Sequence, residues 1–191
     1  MNPGLNVQWL DRELAYTGPE LRPHWILSNF KIQGSAVVAF CGRCEVRTEN
    51  LVDWEDRIAS DHIRAARMVH FVGEFFGPSL REAVWMQRLF VGILSEILRE
   101  EFGVATTRTG DDLWVGAGES RRKLSVSIVT SSAVSQLLHI GINVDPAGAP
   151  VPAVGLGELG VDAVGFARIA LERFARETVS VWDATTKVMP V

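Results

Sequence analysis

Apolar and polar positions alternate most cleanly in the second half of the chain. Over residues 123–128 the even positions Leu124, Val126 and Ile128 are apolar, whereas Lys123, Ser125 and Ser127 are polar. Successive side chains of a strand point to opposite faces, so this is the period of a half-buried strand. Residues 137–144 repeat the division, with Leu138, Ile140, Ile142 and Val144 set against His139, Gly141 and Asn143. Paired as neighbours, the two strands would gather Lys123, Ser125, Ser127, His139, Gly141 and Asn143 on one polar wall. A mid-strand glycine such as Gly141 weakens a strand and suggests close approach by a ligand or another backbone. A sheet with one solvated face gives the same alternation without any ligand.

Helical spacing replaces alternation elsewhere. Residues 60–76 carry Ile63, Ala66, Val69, Phe71 and Val72 at near-helical intervals, which predicts a helix ending before Gly77-Pro78. A longer helix follows, with Leu80, Ala83, Val84, Phe90, Val91, Leu94, Ile97 and Leu98 on its apolar stripe and Gly103 as a stop after Phe102. A last amphipathic helix, capped by Asp162, is expected to run to about Val179. Upstream, residues 7–10 and 13–16 flank Asp11-Arg12 as a hairpin, and residues 35–40 and 45–48 flank a second one turning at Gly42-Arg43. Strands at 104–108 and 113–115, a turn at 116–122 and a Pro/Gly loop at 146–160 complete the order. Clustered strands between helices predict one α+β domain over residues 1–191, an antiparallel or mixed sheet with helices packed on one face.

Charge narrows the partners. Nineteen Lys and Arg against 23 Asp and Glu leave a net charge of -4, with no basic stripe, so DNA is not an expected partner. No apolar run reaches a membrane span, and the N-terminus has neither a basic region nor an apolar leader, so no membrane is expected and the location is read as cytoplasmic. Cys41 and Cys44 are the only cysteines. On a two-residue turn they would stand opposite each other, and they read as small strand-end thiols rather than a zinc or redox site.

Candidate chemistry gathers in the Pro-broken stretch 17–33, where Arg22, His24, Asn29 and Gln33 are interleaved with Trp25 and Phe30. Such a loop suits a ligand rim, with Arg22 as a phosphate or carboxylate clamp. His70 and Glu74 share a face at helical spacing, but a histidine paired with a local carboxylate is the better reading, and no metal site is assigned. Asp53, Glu55, Asp56 and Asp61 read as a helix-start cap.

Residues 111–128, Asp-Asp-Leu-Trp-Val-Gly-Ala-Gly-Glu-Ser-Arg-Arg-Lys-Leu-Ser-Val-Ser-Ile, followed by Leu138-His-Ile-Gly-Ile-Asn-Val144, resemble the central region of biotin and lipoate protein ligases. The resemblance implies that Lys123 contacts the activated carboxylate and its acyl-adenylate, that Asp112 matches the Asp of an Asn-Asp pair, and that ATP with magnesium is the cofactor. Val126 replaces a glycine of those ligases, Asp111 replaces the Asn, and their glycine- and arginine-rich loop has no counterpart in residues 17–60, where Arg22, Gln33 and Gly34 come nearest. Along nearly the whole chain, Leu21-Arg-Pro-His-Trp25, Asn29-Phe30, Ile32-Gln-Gly34, Ala36 to Phe40, Gly42, Cys44, Val52-Asp53, Glu55-Asp56 and His70-Phe71 resemble an uncharacterised family, domain of unknown function 366. It is expected to share the α+β core of biotin/lipoate ligases and class II aminoacyl-tRNA synthetases. The implied catalytic residues are Lys123 and Arg22. His24, Asn29, Gln33, Gly34, Asp112, Ser125, Ser127, His139, Gly141 and Asn143 would hold a small anionic molecule or nucleotide. The implied activity is ATP-dependent activation of a carboxylic acid and acyl transfer, with a carrier protein as acceptor. The alternative is a noncatalytic relative that binds a metabolite or carrier protein. A homodimer is among the assemblies open to it.

Overall fold

The computed structural model describes residues 4–59 and 61–189. In chain order, the first half contains β1 (Asn6–Trp9), α1 (Trp25–Phe30), β2 (Ala36–Val46), α2 (Trp54–Ile58), β3 (Ile63–Phe75) and α3 (Leu80–Phe102). The second half contains β4 (Thr107–Thr109), β5 (Asp112–Val115), β6 (Arg122–Lys123), β7 (Ser125–Ser131), β8 (Gln136–Asp145) and α4 (Ala163–Thr186). The main sheet runs β1-β2-β3-β8-β7, and β4-β5-β6 form a small second sheet. Only β1 is parallel to its neighbour; the other pairings are antiparallel, so the main sheet is mixed.

Both faces of the sheet are apolar. On one, Val37, Ala39, Val69, Phe71, Leu138, Ile140 and Ile142 pack under α3 and α4. Phe90 of α3 stacks on Phe174 of α4, with ring centres 4.2 Å apart, and meets Phe71 edge-on. α3 starts at a capping box, with Ser79 and Glu82 each satisfying the other's backbone N–H, and stops at Gly103 in the left-handed region. On the opposite face Ala36, Val38, Phe40, Met68 and Val72 pack under the N-terminal segment through Leu10, Tyr16 and Ile26.

The structure corrects several sequence expectations. Residues 63–75 form the long central strand β3 rather than a helix, and Ser60, the expected helix start, lies outside the described residues. A strand buried on both faces shows a near-continuous apolar run, which also satisfies helical spacing. The first expected hairpin does not form: β1 runs parallel to β2, and after a bend the chain continues alongside it, with Leu14 N–H donating to Cys41 O and Tyr16 N–H to Arg43 O. The second hairpin is instead one eleven-residue strand, β2, with a bulge between Gly42 and Cys44. Cys41 therefore faces Val69 across the ladder and Cys44 faces Ala65; both are buried free thiols, not an opposed pair. The alternation read over residues 123–128 is divided between the two sheets, β6 ending at Lys123 and β7 beginning at Ser125. The last helix extends further than expected, to Thr186.

Candidate functional site

A cavity of about 280 Å³ lies against the second face of the sheet, where Met68, Val126 and His139 come from β3, β7 and β8. Tyr16 and Leu21 border it from the N-terminal segment, and Asp53, Asp56, Asp61 and Arg64 from the region between β2 and β3. Lys123, Asp112 and Asn143 stand where the two sheets meet.

Lys123 is held there by backbone. Its N–H donates to Pro152 O at 2.9 Å, and its carbonyl accepts from Val154 N–H at 3.0 Å and from Asn143 Nδ2 at 3.2 Å. Asn143 N–H also reaches Leu124 O at 2.9 Å, fixing the crossover between the sheets. The Lys123 ammonium is 3.0 Å from Asp112 and 5.7 Å from the centre of the Trp114 ring. Beside it, Asp111 is oriented by two partners outside the cavity: it accepts from Gln87 Nε2 at 3.0 Å and pairs with Arg88 at 3.3 Å.

The polar wall is split by the register. Ser125 pairs with Ile142 and Ser127 with Ile140, whereas Val126 pairs with Gly141 and Ile128 with His139. Cross-strand partners share a face, so the two serines share the face of α3, opposite His139, Gly141 and Asn143. They border the cavity at the sheet edge, but their hydroxyls are engaged elsewhere. Ser125 Oγ accepts from Leu113 N–H at 2.7 Å, and Ser127 Oγ from Gln87 Nε2 at 2.7 Å. Gly141 is glycine for a packing reason: a Cβ there would lie 2.8 Å from Met68 Cε and 3.0 Å from Val126 Cγ2. Val126, the residue that replaces a ligase glycine, fills the space above Gly141.

Of the N-terminal candidates, only neighbouring residues reach the cavity. Arg22, His24, Asn29, Gln33 and Gly34 are exposed and do not line it. His24 adopts a left-handed conformation before α1, and its N–H donates to both oxygens of buried Glu74 at 2.9 and 3.0 Å. Asn29 Nδ2 turns back to Trp25 O, Gln33 O accepts from Asn6, and Gly34 occupies a positive-φ turn. Trp25 and Phe30 pack against the core of the second face. The arginine on the cavity is Arg64.

Two histidines lie beneath this site. His70 Nδ1 is 3.0 Å from His139 Nε2, and His70 Nε2 is 3.2 Å from Gly42 O. Tyr16 stacks on His139 with centroids 3.6 Å apart and planes 8° apart. Burial pushes the pKa of His70 down to about 4, against the partial opposition of its backbone hydrogen bonds, and lowers that of His139, which the nearby His70 charge depresses further. Burial and the nearby Glu20 raise the Tyr16 phenol pKa, and the same two causes push the Cys44 thiol up to about 12. Asp56 is also raised, by burial first and then by Asp53 and Asp61. Asp53 itself caps α2, accepting from Glu55 and Asp56 N–H.

Lys123 and Arg64 supply cationic groups suited to nucleotide phosphates. Among the described residues, no group of three or more His, Cys, Asp and Glu is arranged to hold a metal ion. Sequence reasoning missed Tyr16, Arg64 and the pairing of His70 with His139. Tyr16 carried a signal as the only tyrosine of the chain; the histidine pairing depends on the register of β3 with β8.

The architecture is the α+β fold of biotin and lipoate protein ligases. Biotin protein ligase from Aquifex aeolicus, solved in complex with biotin and ATP, superposes with a TM-score of 0.55 at 17% identity, over 92% of this chain and 70% of its own. A putative lipoate protein ligase from T. acidophilum with bound lipoic acid superposes with a TM-score of 0.54 at 14% identity, over 94% of this chain and 87% of its own. Within that fold class, the chain belongs to the family described as a domain of unknown function, DUF366, whose model matches residues 5–189. A protein of unknown function from Pyrococcus horikoshi has a TM-score of 0.91 and 37% identity, covering 98% of this chain and 99% of its own. An uncharacterized protein of Methanocaldococcus jannaschii is 32% identical, over 98% of this chain and 86% of its own length. Among the described residues, no helix is long and apolar enough to cross a membrane.

Proposed function

We propose that the chain binds a carboxylic acid in the cavity on its sheet and activates it with ATP, Lys123 contacting the carboxylate. The observation that carries this reading is the placement of Lys123 on the wall of a cavity within a ligase fold. A half-buried ammonium attracts a carboxylate and stabilises negative charge that develops as the carboxylate oxygen attacks the α-phosphorus, releasing pyrophosphate. Asp112 holds the ammonium in place, and Asn143 holds the backbone from which it projects. Arg64, rather than Arg22, is the cavity arginine available to phosphate. A carrier protein would accept the acyl group in the second half-reaction.

One observation favours a second reading, binding of an acid or carrier protein without catalysis. Five aspartates line the cavity against Lys123 and Arg64, and Lys123 is already paired with Asp112. A polyphosphate gains little from such a lining unless a divalent cation accompanies it. Pyrophosphate release from magnesium-ATP with a panel of carboxylic acids separates the two readings, since only activation produces it. Calorimetry of ATP and of each acid completes the test. Acid affinity should fall about tenfold or more in Lys123→Ala, the loss expected for one charge-assisted contact. Equal binding by wild type and Lys123→Ala would remove Lys123 from the site.

A further inference from the structure

The outer face of α3 carries a projection and a recess that nothing within the chain uses. Arg81, Trp85, Leu89, Gly92, Glu96 and Arg99 recur at intervals of three and four, opposite the buried stripe of Ala83, Phe90, Leu94 and Ile97. Trp85 is 71% exposed, and among the described residues no cation or aromatic ring lies against it. Trp54, equally exposed, has Arg57 over its ring at 5.4 Å. Two turns beyond Trp85, Gly92 interrupts the helix with a residue that weakens it relative to alanine. Its backbone does not require glycine, since its φ is not positive, and a Cβ there would meet nothing within 4 Å. The fold of one chain therefore explains neither residue.

Charge follows the same geometry. Arg88 pairs with Asp111 at 3.3 Å and Arg99 with Glu100 at 3.2 Å, whereas Arg81 and Glu96, both exposed, have no ion pair among the described residues. Trp85 and Gly92 lie about 10 Å apart along the helix axis, and Arg81 and Glu96 about 22 Å, around one midpoint between Arg88 and Leu89. We propose that the outer face of α3 joins two copies of this chain, antiparallel about a two-fold axis at that midpoint. Trp85 of each copy packs over Gly92 of the other, and Arg81 of each pairs with Glu96 of the other. A parallel arrangement would instead set Arg81 against Arg81 and Trp85 against Trp85, leaving the recess empty. A two-fold contact is self-complementary and closed, so assembly stops at two copies. Each buried tryptophan removes about 150–250 Å² from water. A contact of one helix face therefore falls near or below the roughly 1,200 Å² low end of stable interfaces, and the pair is expected to dissociate on dilution. The cavity lies against the other face of the sheet and stays open in the pair.

Sedimentation velocity of the full chain over a dilution series reads this directly. The weight-average mass should rise with concentration from one chain to two; a single chain at every concentration, up to the millimolar range, overturns the proposal. Trp85→Ala removes the projection and Gly92→Leu fills the recess, and each should weaken association at least tenfold. At dilutions where both are single chains, Gly92→Leu should melt no lower than wild type, which separates loss of association from loss of fold. A lower melting temperature would show that the chain itself needs the recess, and overturns the proposal. Arg81→Glu and Glu96→Arg should each weaken association several-fold, whereas the two together should restore it, because each reversed charge then meets its opposite. Association unchanged by Trp85→Ala or Gly92→Leu places the contact on another surface. That result, or a double reversal no tighter than either single one, overturns the antiparallel pairing.

Discussion

A histidine held neutral at pH 7 makes stability depend on pH in a definite direction. The folded chain keeps His70 near 4, against an ordinary value of 6.5, so between those values the unfolded chain binds the extra proton. The stabilisation is therefore fully present above about pH 6.5 and is lost as pH falls towards 4, by up to about 3 kcal/mol for this residue. His139 contributes with the same sign, because burial lowers it as well. Thermal melts in buffers spanning this window should show a steep fall in Tm on acidification, and His70→Phe should flatten the slope even if it lowers the plateau. A slope unchanged in that variant would show that neither burial nor the pairing governs the acid limb. At this scale the sequence was partly legible. Lys123 and His139 could be singled out by parity, but parity within a strand does not reveal which faces of two strands coincide. One residue of register moved Ser125 and Ser127 to the opposite side of the sheet from His139.

Elements were legible where a stop or cap marked their ends. α3 was delimited in the sequence by Gly77-Pro78 before it and Gly103 after it; in the structure Ser79 caps its start and Gly103 stops it. Ser79→Ala should cost about 1 kcal/mol by removing the reciprocal cap, and at this chain length should lower Tm by about 2–4 °C, measurable by calorimetry. β2 was read as the two strands of a hairpin because Gly42-Arg43 suggests a turn, and β3 as a helix because its apolar run fits either period. Gly42 illustrates the difference. Within the sequence it suggested a turn, but it lies in an unbroken strand because the N-terminal segment crosses there, and a Cβ would sit 1.8 Å from Leu14 O. The obstructing atoms, Leu14 O, C and N, all belong to backbone, so Gly42→Ala should destabilise by about 3 kcal/mol or more, observable as a shift in the chemical-denaturation midpoint. Because Gly42 O also orients His70, the variant should disturb the His70–His139 hydrogen bond. A midpoint within experimental error of wild type would mean that the crossing segment can move aside.

The placement of the cavity follows from how the whole molecule covers its sheet. The long helices α3 and α4 are both committed to one face. The other face has the short α1, the N-terminal segment and the region from β2 to β3, which cover Val38, Phe40 and Val72 but leave space above Met68, Val126 and His139. Stability should be uneven in the same way. α2 contains no buried residue, and its Trp54 and Ile58 are 71% and 81% exposed, whereas β3 is buried along most of its length. With so little apolar area holding it, α2 should open locally at a free energy far below that of global unfolding. Native-state amide exchange should therefore show α2 amides equilibrating early, while those at the centres of β2, β3 and β8 exchange only through global unfolding. Protection of α2 equal to that of β3, rising with protein concentration, would show that Trp54 and Ile58 are covered by a second copy. Early exchange independent of concentration would leave this side of the cavity as the part of the fold most readily rearranged around a ligand.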